Sequence, residues 1–97
     1  MDAKFKLGQL VATVAVAAQM REDAAFASFV RASLSRYIQA DWGEMAAEDI
    51  QSNDSALAND NDRIFAAYTN AQHPAWKIWI ITEWDHSATT VLFPSDY

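Results

Sequence analysis

The chain has 97 residues, of which 52% are hydrophobic and 21% are charged, and it has no cysteine. This length predicts a single domain over residues 1–97. The absence of cysteine excludes disulfides, cysteine-rich zinc sites and thiol nucleophiles, and it fits a cytoplasmic protein. Seven basic against thirteen acidic residues give a net charge of −6, which argues against direct nucleic-acid binding. We interpret the acidic charge first as favouring solubility, and a basic partner is the alternative.

The N-terminal region predicts a short strand and a helix. Its apolar stretch, residues 10–18, is shorter than the ~20 residues that cross a bilayer. Gln9 and Thr13 weaken a comparison with a signal peptide, so we expect mature soluble sequence without a membrane span. Residues 6–13 fit either an opening strand or the entry into a helix, with residues 7–12 as the candidate fourth strand. Thr13 can cap a helix over residues 14–20.

The strongest helical pattern covers residues 24–39. Its apolar positions recur every three or four residues, which places them on one face: Phe26, Phe29, Val30, Leu34, Tyr37 and Ile38. Arg31, Ser35 and Gln39 fall largely on the other side. We therefore expect Phe26, Val30 and Leu34 to be nearly fully buried.

A corner at Asp41-Trp42-Gly43 interrupts this helix. Gly43 permits a turn, and Asp41 is expected to cap a second helix over residues 44–57. The second helix is more polar, and its apolar line is Ala46, Ile50 and Leu57. The Asn- and Asp-rich residues 53–62 favour turns and should end it.

Three β segments follow, at residues 63–69, 77–84 and 88–93, joined by a loop over 70–76 and a turn over 84–87. The middle segment is apolar on both faces, which predicts a central strand with Ile78, Ile80 and Ile81 buried. Short connections favour antiparallel neighbours. The predicted fold is α+β: N-terminal helices packed on a three- to four-stranded, mainly antiparallel sheet.

The last turn concentrates polar groups. Glu83, Asp85 and His86 could serve as oxygen and nitrogen ligands of a divalent metal, but the other histidine, His73, lies in a different loop. Consecutive Asp85, His86 and Ser87 cannot align as a hydrolase triad. We favour a hairpin turn with His86 at its tip, and replacing His86 with Asn should then be neutral. No catalytic, cofactor or metal residue is predicted.

Four tryptophans are many for this length. Trp79 on the central strand is expected in the core, whereas three others lie in or beside turns. An exposed tryptophan is a typical interface anchor, and burial between helix and sheet is the alternative for each. The candidate partner-binding residues are Trp42, Trp76, Trp84, Asp85 and His86.

The chain resembles a family of small bacterial proteins labelled plasmid-related, hypothetical or type I restriction subunit. The similarity covers most of the chain in order: FKLGQLVAT (residues 5–13), DWGE (41–44), ND-x-AL (53–57), RIFAAY (63–68), IWIITEWDHSATTVLFP (78–94) and Tyr97. The resemblance implies a compact α+β domain associated with mobile elements, and it implies no assigned activity.

Three positions depart from the family pattern. Ala40 stands where the family has Gly before DWG, Tyr37 follows Arg36 where the family has Arg-His, and His86 replaces an Arg in the terminal turn. A family function that used the helix histidine or the turn arginine would be missing from this chain.

The expected function is that of a small acidic, non-enzymatic binding protein of a mobile genetic element. Its expected partner is a protein, such as a nucleic-acid-binding host complex, and the binding would inhibit a defence nuclease as an anti-CRISPR or anti-restriction factor. Two alternatives are a metal-dependent enzyme using Glu83, Asp85 and His86, and a housekeeping homodimer joined by an edge strand or a helix face.

Overall fold

The computed structural model describes residues 4–59 and 62–97. Over this part of the chain, helices and strands occur in the order β1 (Gln9–Ala12), α1 (Val14–Glu22), α2 (Ala24–Tyr37), α3 (Ala47–Asn59), β2 (Ile64–Thr69), β3 (Lys77–Thr82) and β4 (Ala88–Leu92), and a short 3-10 helix covers Pro94–Asp96. Helices packed with a four-stranded sheet confirm the predicted α+β class.

The sheet has the strand order β1-β4-β3-β2. β3 pairs antiparallel with both β2 and β4, as predicted from the short connections. β1 confirms the candidate N-terminal strand, but it runs parallel to β4. A parallel neighbour requires a long crossover, and here all three helices and two strands lie between the two paired strands.

Both N-terminal helices begin at side-chain caps. Thr13 Oγ1 accepts from the backbone N–H of Val16 at 3.3 Å, as expected. Asp23 separates α1 from α2 and accepts from the N–H groups of Ala25 and Phe26 at 2.9 and 3.2 Å. Each cap satisfies amides that a helix start leaves without partners. The backbone of Asp23 is extended, which ends α1 and separates it from α2.

These helices cover one face of the sheet, and the core lies between them. The buried apolar residues of this layer are Val16, Phe26, Phe29, Val30, Tyr37, Ile64, Ala66, Tyr68, Ile78, Ile80 and Val91. Phe26, Val30, Ile78, Ile80 and Ile81 are buried as predicted. Leu34 is a correction: it is only partly buried and packs against the side of the core.

A polar chain crosses this core. The hydroxyl of Tyr37 bonds Thr82 Oγ1 at 2.7 Å, and Thr82 Oγ1 bonds Thr89 Oγ1 at 2.8 Å. Thr89 Oγ1 in turn donates to the backbone oxygen of Leu7 at 2.7 Å. This network of hydrogen bonds ties α2 and two strands to the segment before β1. Burial raises the pKa of Tyr37 well above its ordinary range.

The opposite face of the sheet is less covered than predicted. It carries Phe65, Trp79 and Ile81, which alternate with the core-facing residues of β2 and β3. Ile81 is buried, but Trp79 is only half-buried, with the ring of Tyr97 packed on it at 5.6 Å. The central strand is therefore covered by helices on one face only.

The corner after α2 differs from the prediction. Asp41 does not cap the next helix, because that helix starts at Ala47. The Asp41 carboxylate instead accepts from Arg36 at 2.8 and 3.1 Å and from the Gly43 N–H at 3.2 Å. The hydrogen bonds from Arg36 lower the pKa of Asp41.

Helix α3 extends through the Asn- and Asp-rich segment that was expected to form turns. The reason is tertiary: Asn53 is buried, its Nδ2 donates to Phe65 O at 2.7 Å, and its Oδ1 accepts from Phe65 N at 3.2 Å. Ala56 is also buried, whereas Ile50 of the predicted apolar line is exposed. Side-chain docking on β2 outweighs the weak helix propensity of Asn and Asp.

Candidate functional site

The connection between β3 and β4 is the hairpin turn predicted from the sequence. Thr82 lies opposite Thr89, and the N–H of Glu83 donates to Ala88 O at 3.0 Å. The turn itself is closed by the N–H of His86, which donates to Glu83 O at 2.9 Å. The predicted register of this hairpin is confirmed.

The position of His86 was predicted wrongly. The side chain is buried, and Nδ1 donates to the backbone oxygen of Lys6 at 2.7 Å, while the ring packs edge-on against Phe5 at 6.1 Å. The backbone of His86 has φ 57°, a left-handed conformation that histidine tolerates better than most residues. His86 therefore points into the protein and fixes the turn.

The segment before β1 runs against this turn and explains why His86 is buried. The N–H of Gln9 donates to Ser87 O at 3.0 Å. Gly8 has φ +66°, and a Cβ at this position would overlap the carbonyl oxygen of His86. This segment comes from the other end of the sequence. Its packing on the turn, and hence the burial of His86, could not be predicted from the residues of the turn.

Three consecutive residues of the connection face solvent: Glu83, Trp84 and Asp85, which we call the Trp84 turn. Trp84 is 64% exposed. Hydrogen bonding from the Ser87 side chain, and then from the Ser87 N–H to Asp85 Oδ1 at 3.0 Å, lowers the pKa of Asp85, so its carboxylate is ionised at neutral pH. The turn thus presents an indole between two acidic residues.

The other candidate tryptophans do not join this surface. Trp42 is buried, packs on Tyr37 at 5.5 Å, and donates its indole N–H to Asp54 Oδ1 at 3.1 Å. Trp76 is half-buried against Phe26 at a ring distance of 5.4 Å. Burial of Trp42 and His86 does not fit partner-facing side chains, so the predicted five residues do not form one site.

The geometry also disfavours the metal-binding alternative. Glu83 and Asp85 point to solvent, while Nδ1 of His86 is engaged by Lys6 O inside the protein. Over residues 4–59 and 62–97, no three His, Cys, Asp or Glu side chains lie close enough to hold a metal ion. The three residues that are adjacent in sequence diverge in space.

A second exposed surface was not anticipated from the sequence. On the open face of the sheet, Trp79 contacts Phe65 at 5.0 Å and Tyr97 at 5.6 Å, and Arg63 lies over the Tyr97 ring at 5.9 Å. We call these four residues the aromatic face. Because side chains alternate between the two faces of a sheet, the sequence showed which residues of β2 and β3 share a face. It did not show which face the helices leave open.

A shallow cleft of about 310 Å³ lies between α3 and β2. Its lining is mostly polar and comprises Met45, Asp49, Ser52, Asn53, Asp62, Arg63 and Phe65. Asn53 is already committed to the backbone of Phe65, so the cleft offers few groups that converge on a ligand.

No family model matches the chain, and the same is true of curated proteins and of solved structures. The resemblance to plasmid-related proteins therefore stays a prediction. Within the described residues, none of the helices has both the length and the apolar character needed to cross a membrane.

Proposed function

We propose that this chain is a small acidic binding protein without chemistry of its own, which docks on a partner protein through the Trp84 turn. The observation that carries the proposal is a tryptophan 64% exposed to solvent on an ordered turn. Tryptophan is enriched among the few residues that supply most of the binding energy of protein interfaces. Its indole combines a large apolar surface with a polar N–H, a combination that enriches tryptophan at interfaces.

The turn is ordered before any partner arrives. Backbone bonds join Glu83 to Ala88 and His86 to Glu83. The His86 ring is bonded to Lys6 in the segment before β1, and Ser87 is bonded to Gln9 at the start of β1. A preformed turn loses little conformational entropy on binding, so more of the contact energy of Trp84 appears as affinity.

The charge of the turn indicates the chemistry of the partner. Glu83 and Asp85 flank the indole, and the whole chain has a net charge of −6. Such a surface suits an apolar pocket surrounded by Lys and Arg, and it repels phosphate backbones. Proteins that bind nucleic acid carry such clusters of Lys and Arg on their surfaces.

We further propose that the partner is a defence nuclease complex in the cytoplasm, inhibited in the manner of an anti-CRISPR or anti-restriction factor. Support comes from the acidic turn and from the resemblance to proteins of mobile elements. Cleavage assays with purified CRISPR effectors and type I restriction enzymes test this finer proposal, and inhibition that persists in Trp84→Ala would contradict it.

The binding proposal is tested with two matched variants. Trp84→Ala and Tyr97→Ala each remove an exposed aromatic ring, since Trp84 is 64% and Tyr97 is 70% exposed. Each tagged variant is used to capture partners from bacterial host lysate, and captured protein is quantified by mass spectrometry. We expect Trp84→Ala to lose roughly tenfold or more of the specific partner, and Tyr97→Ala to retain it.

The two variants also separate the candidate surfaces. Loss of capture in Tyr97→Ala with Trp84→Ala unaffected would move the site to the aromatic face. Failure of the unmodified chain to enrich any protein would overturn the binding proposal.

A further inference from the structure

Strand β1 is exposed to an unusual degree for a strand in a four-stranded sheet. All four of its residues are exposed, and Leu10 and Val11 show 50% and 37% of their surface to solvent. Leu10 and Ala12 share the helix-facing side with Thr89 and Val91 of β4, while Val11 lies on the open face. Among the described residues, no helix covers β1 on either side, although Leu10, Val11 and Ala12 are apolar.

Within residues 4–59 and 62–97, no other strand pairs with the outer edge of β1. The N–H of Gln9 donates to Ser87 O and that of Thr13 donates to Val91 O, each at 3.0 Å. Backbone groups of alternate residues point to opposite edges of a strand, so those of Leu10 and Ala12 point away from β4. An open edge of this kind is a template for another strand.

The far edge of the sheet is closed. On β2, Phe65 exchanges both backbone bonds with the Asn53 amide, and Ala67 O accepts from the N–H of Glu44 at 2.8 Å. Gly43 forms a bridge with Ala67, with φ +73° and no space for a Cβ. A molecule with one open edge forms a closed pair, whereas two open edges would allow a growing fibre.

The distribution of charge favours a second copy of this chain as the molecule that pairs with β1. The net charge of −6 makes two copies repel each other over most surfaces, but no charged residue occurs between residues 7 and 20. Edge strands are usually protected from self-pairing by Lys or Pro, and β1 has neither. A basic partner would find no acidic group on this edge, whereas an identical uncharged strand is complementary to it.

We propose that two copies pair through β1 in antiparallel orientation about a two-fold axis at Val11, which makes one continuous eight-stranded sheet. Paired residues must lie on the same face, so Leu10 pairs with Ala12 of the other copy and Val11 with its own equivalent. The outward groups of Leu10 and Ala12 then form about four backbone hydrogen bonds. The two Val11 residues form the closer, non-hydrogen-bonded pair, with Cα atoms about 4.5 Å apart.

The register is tested by cross-linking Val11→Cys under mild oxidation. A separation of about 4.5 Å between Cα atoms permits a disulfide, and the introduced thiol is the sole one because the chain has no cysteine. Ala32→Cys, at an exposed position of α2, is the matched control. We expect a disulfide-linked dimer for Val11→Cys that is reversed by reductant, and monomer for Ala32→Cys under the same conditions.

The association itself is tested by light scattering of the unmodified chain at about 100 μM, where twice the mass of 10.8 kDa is expected. Val11→Lys should be monomeric, whereas Ile50→Lys should remain dimeric. Ile50 is a matched control because it is 37% exposed, as Val11 is, but lies outside β1. Circular dichroism verifies that each variant is folded. A monomeric unmodified chain, equal cross-linking of both cysteine variants, or a folded Val11→Lys that remains dimeric would each overturn the proposal.

Discussion

The ring of His86 fills the space between the β3–β4 turn and the segment that precedes β1. Its Nδ1 bond to Lys6 O and its contact with Phe5 connect two parts of the chain that are 80 positions apart. Its neighbour Trp84 makes no comparable contact and projects into solvent. Within three residues, the turn therefore contains one side chain that stabilises the fold and one that is available for binding.

His86→Asn should lower the free energy of unfolding by roughly 1–3 kcal/mol, because it removes the buried donor to Lys6 O and the contact with Phe5. Asparagine tolerates the left-handed backbone at this position, so backbone strain does not contribute to the loss. Trp84→Ala is the control and should change stability by less than about 0.5 kcal/mol. Urea unfolding followed by far-UV circular dichroism measures both, and equal stability of the two variants would contradict the structural role of His86.

The side chain of Asn53 joins α3 to the outer edge of β2 through two hydrogen bonds. Its amide supplies both a donor and an acceptor to Phe65, which satisfies backbone groups that an edge strand otherwise leaves open. α3 thus protects this edge through one side chain rather than through another strand.

We expect Asn53→Ala to cost roughly 1–3 kcal/mol of stability, because two backbone groups of Phe65 lose their partners. Faster hydrogen exchange of the Phe65 amide should accompany this loss. Gln51→Ala, at an exposed position on the same helix, should have little effect. Unchanged exchange at Phe65 in Asn53→Ala would show that α3 does not protect the edge.

At the level of elements, prediction succeeded where short-range physics decides the structure. The period of α2, the Thr13 cap and the register of the last hairpin all follow from neighbouring residues. It failed at α3, because Asn53 favours turns in isolation and is helical here only through its bonds to β2. The parallel direction of β1 was also inaccessible, since it depends on a partner distant in sequence.

The buried apolar residues of the described part of the chain form one cluster, which lies mainly between α1, α2 and the sheet, and the burial of α2 side chains in it varies along the helix. Ile80 is fully buried in the centre of the sheet, whereas Leu34 packs against the side of the core. The same truncation at these two sites therefore removes different amounts of buried apolar surface.

Ile80→Ala should cost roughly 2–5 kcal/mol, since it leaves a cavity in the core. Leu34→Ala should cost only about 1–2 kcal/mol, because part of the leucine is already in contact with water. Chemical denaturation of both variants gives the comparison directly. Equal losses at the two sites would show that Leu34 is as deeply buried as its helical period predicts.

At this scale the candidate site was predicted in part. The sequence placed Trp84 and Asp85 on a turn, and both are exposed there. It placed Trp42 and His86 with them, although both are buried by residues from other elements. Exposure is a property of the assembled molecule, so residue type and spacing could not separate an anchor from a core residue.

The segment before β1 contacts the last hairpin through residues that are 80 and 82 positions apart. This separation affects how the chain folds while it is being synthesised. Synthesis proceeds from the N-terminus, so β1 leaves the ribosome long before β4 exists to pair with it. Until then its apolar residues have no strand to join, and exposed apolar segments of this kind are prone to association during synthesis. Since the partner of β1 in the sheet is β4, we expect β1 to pair only after β4 has been synthesised.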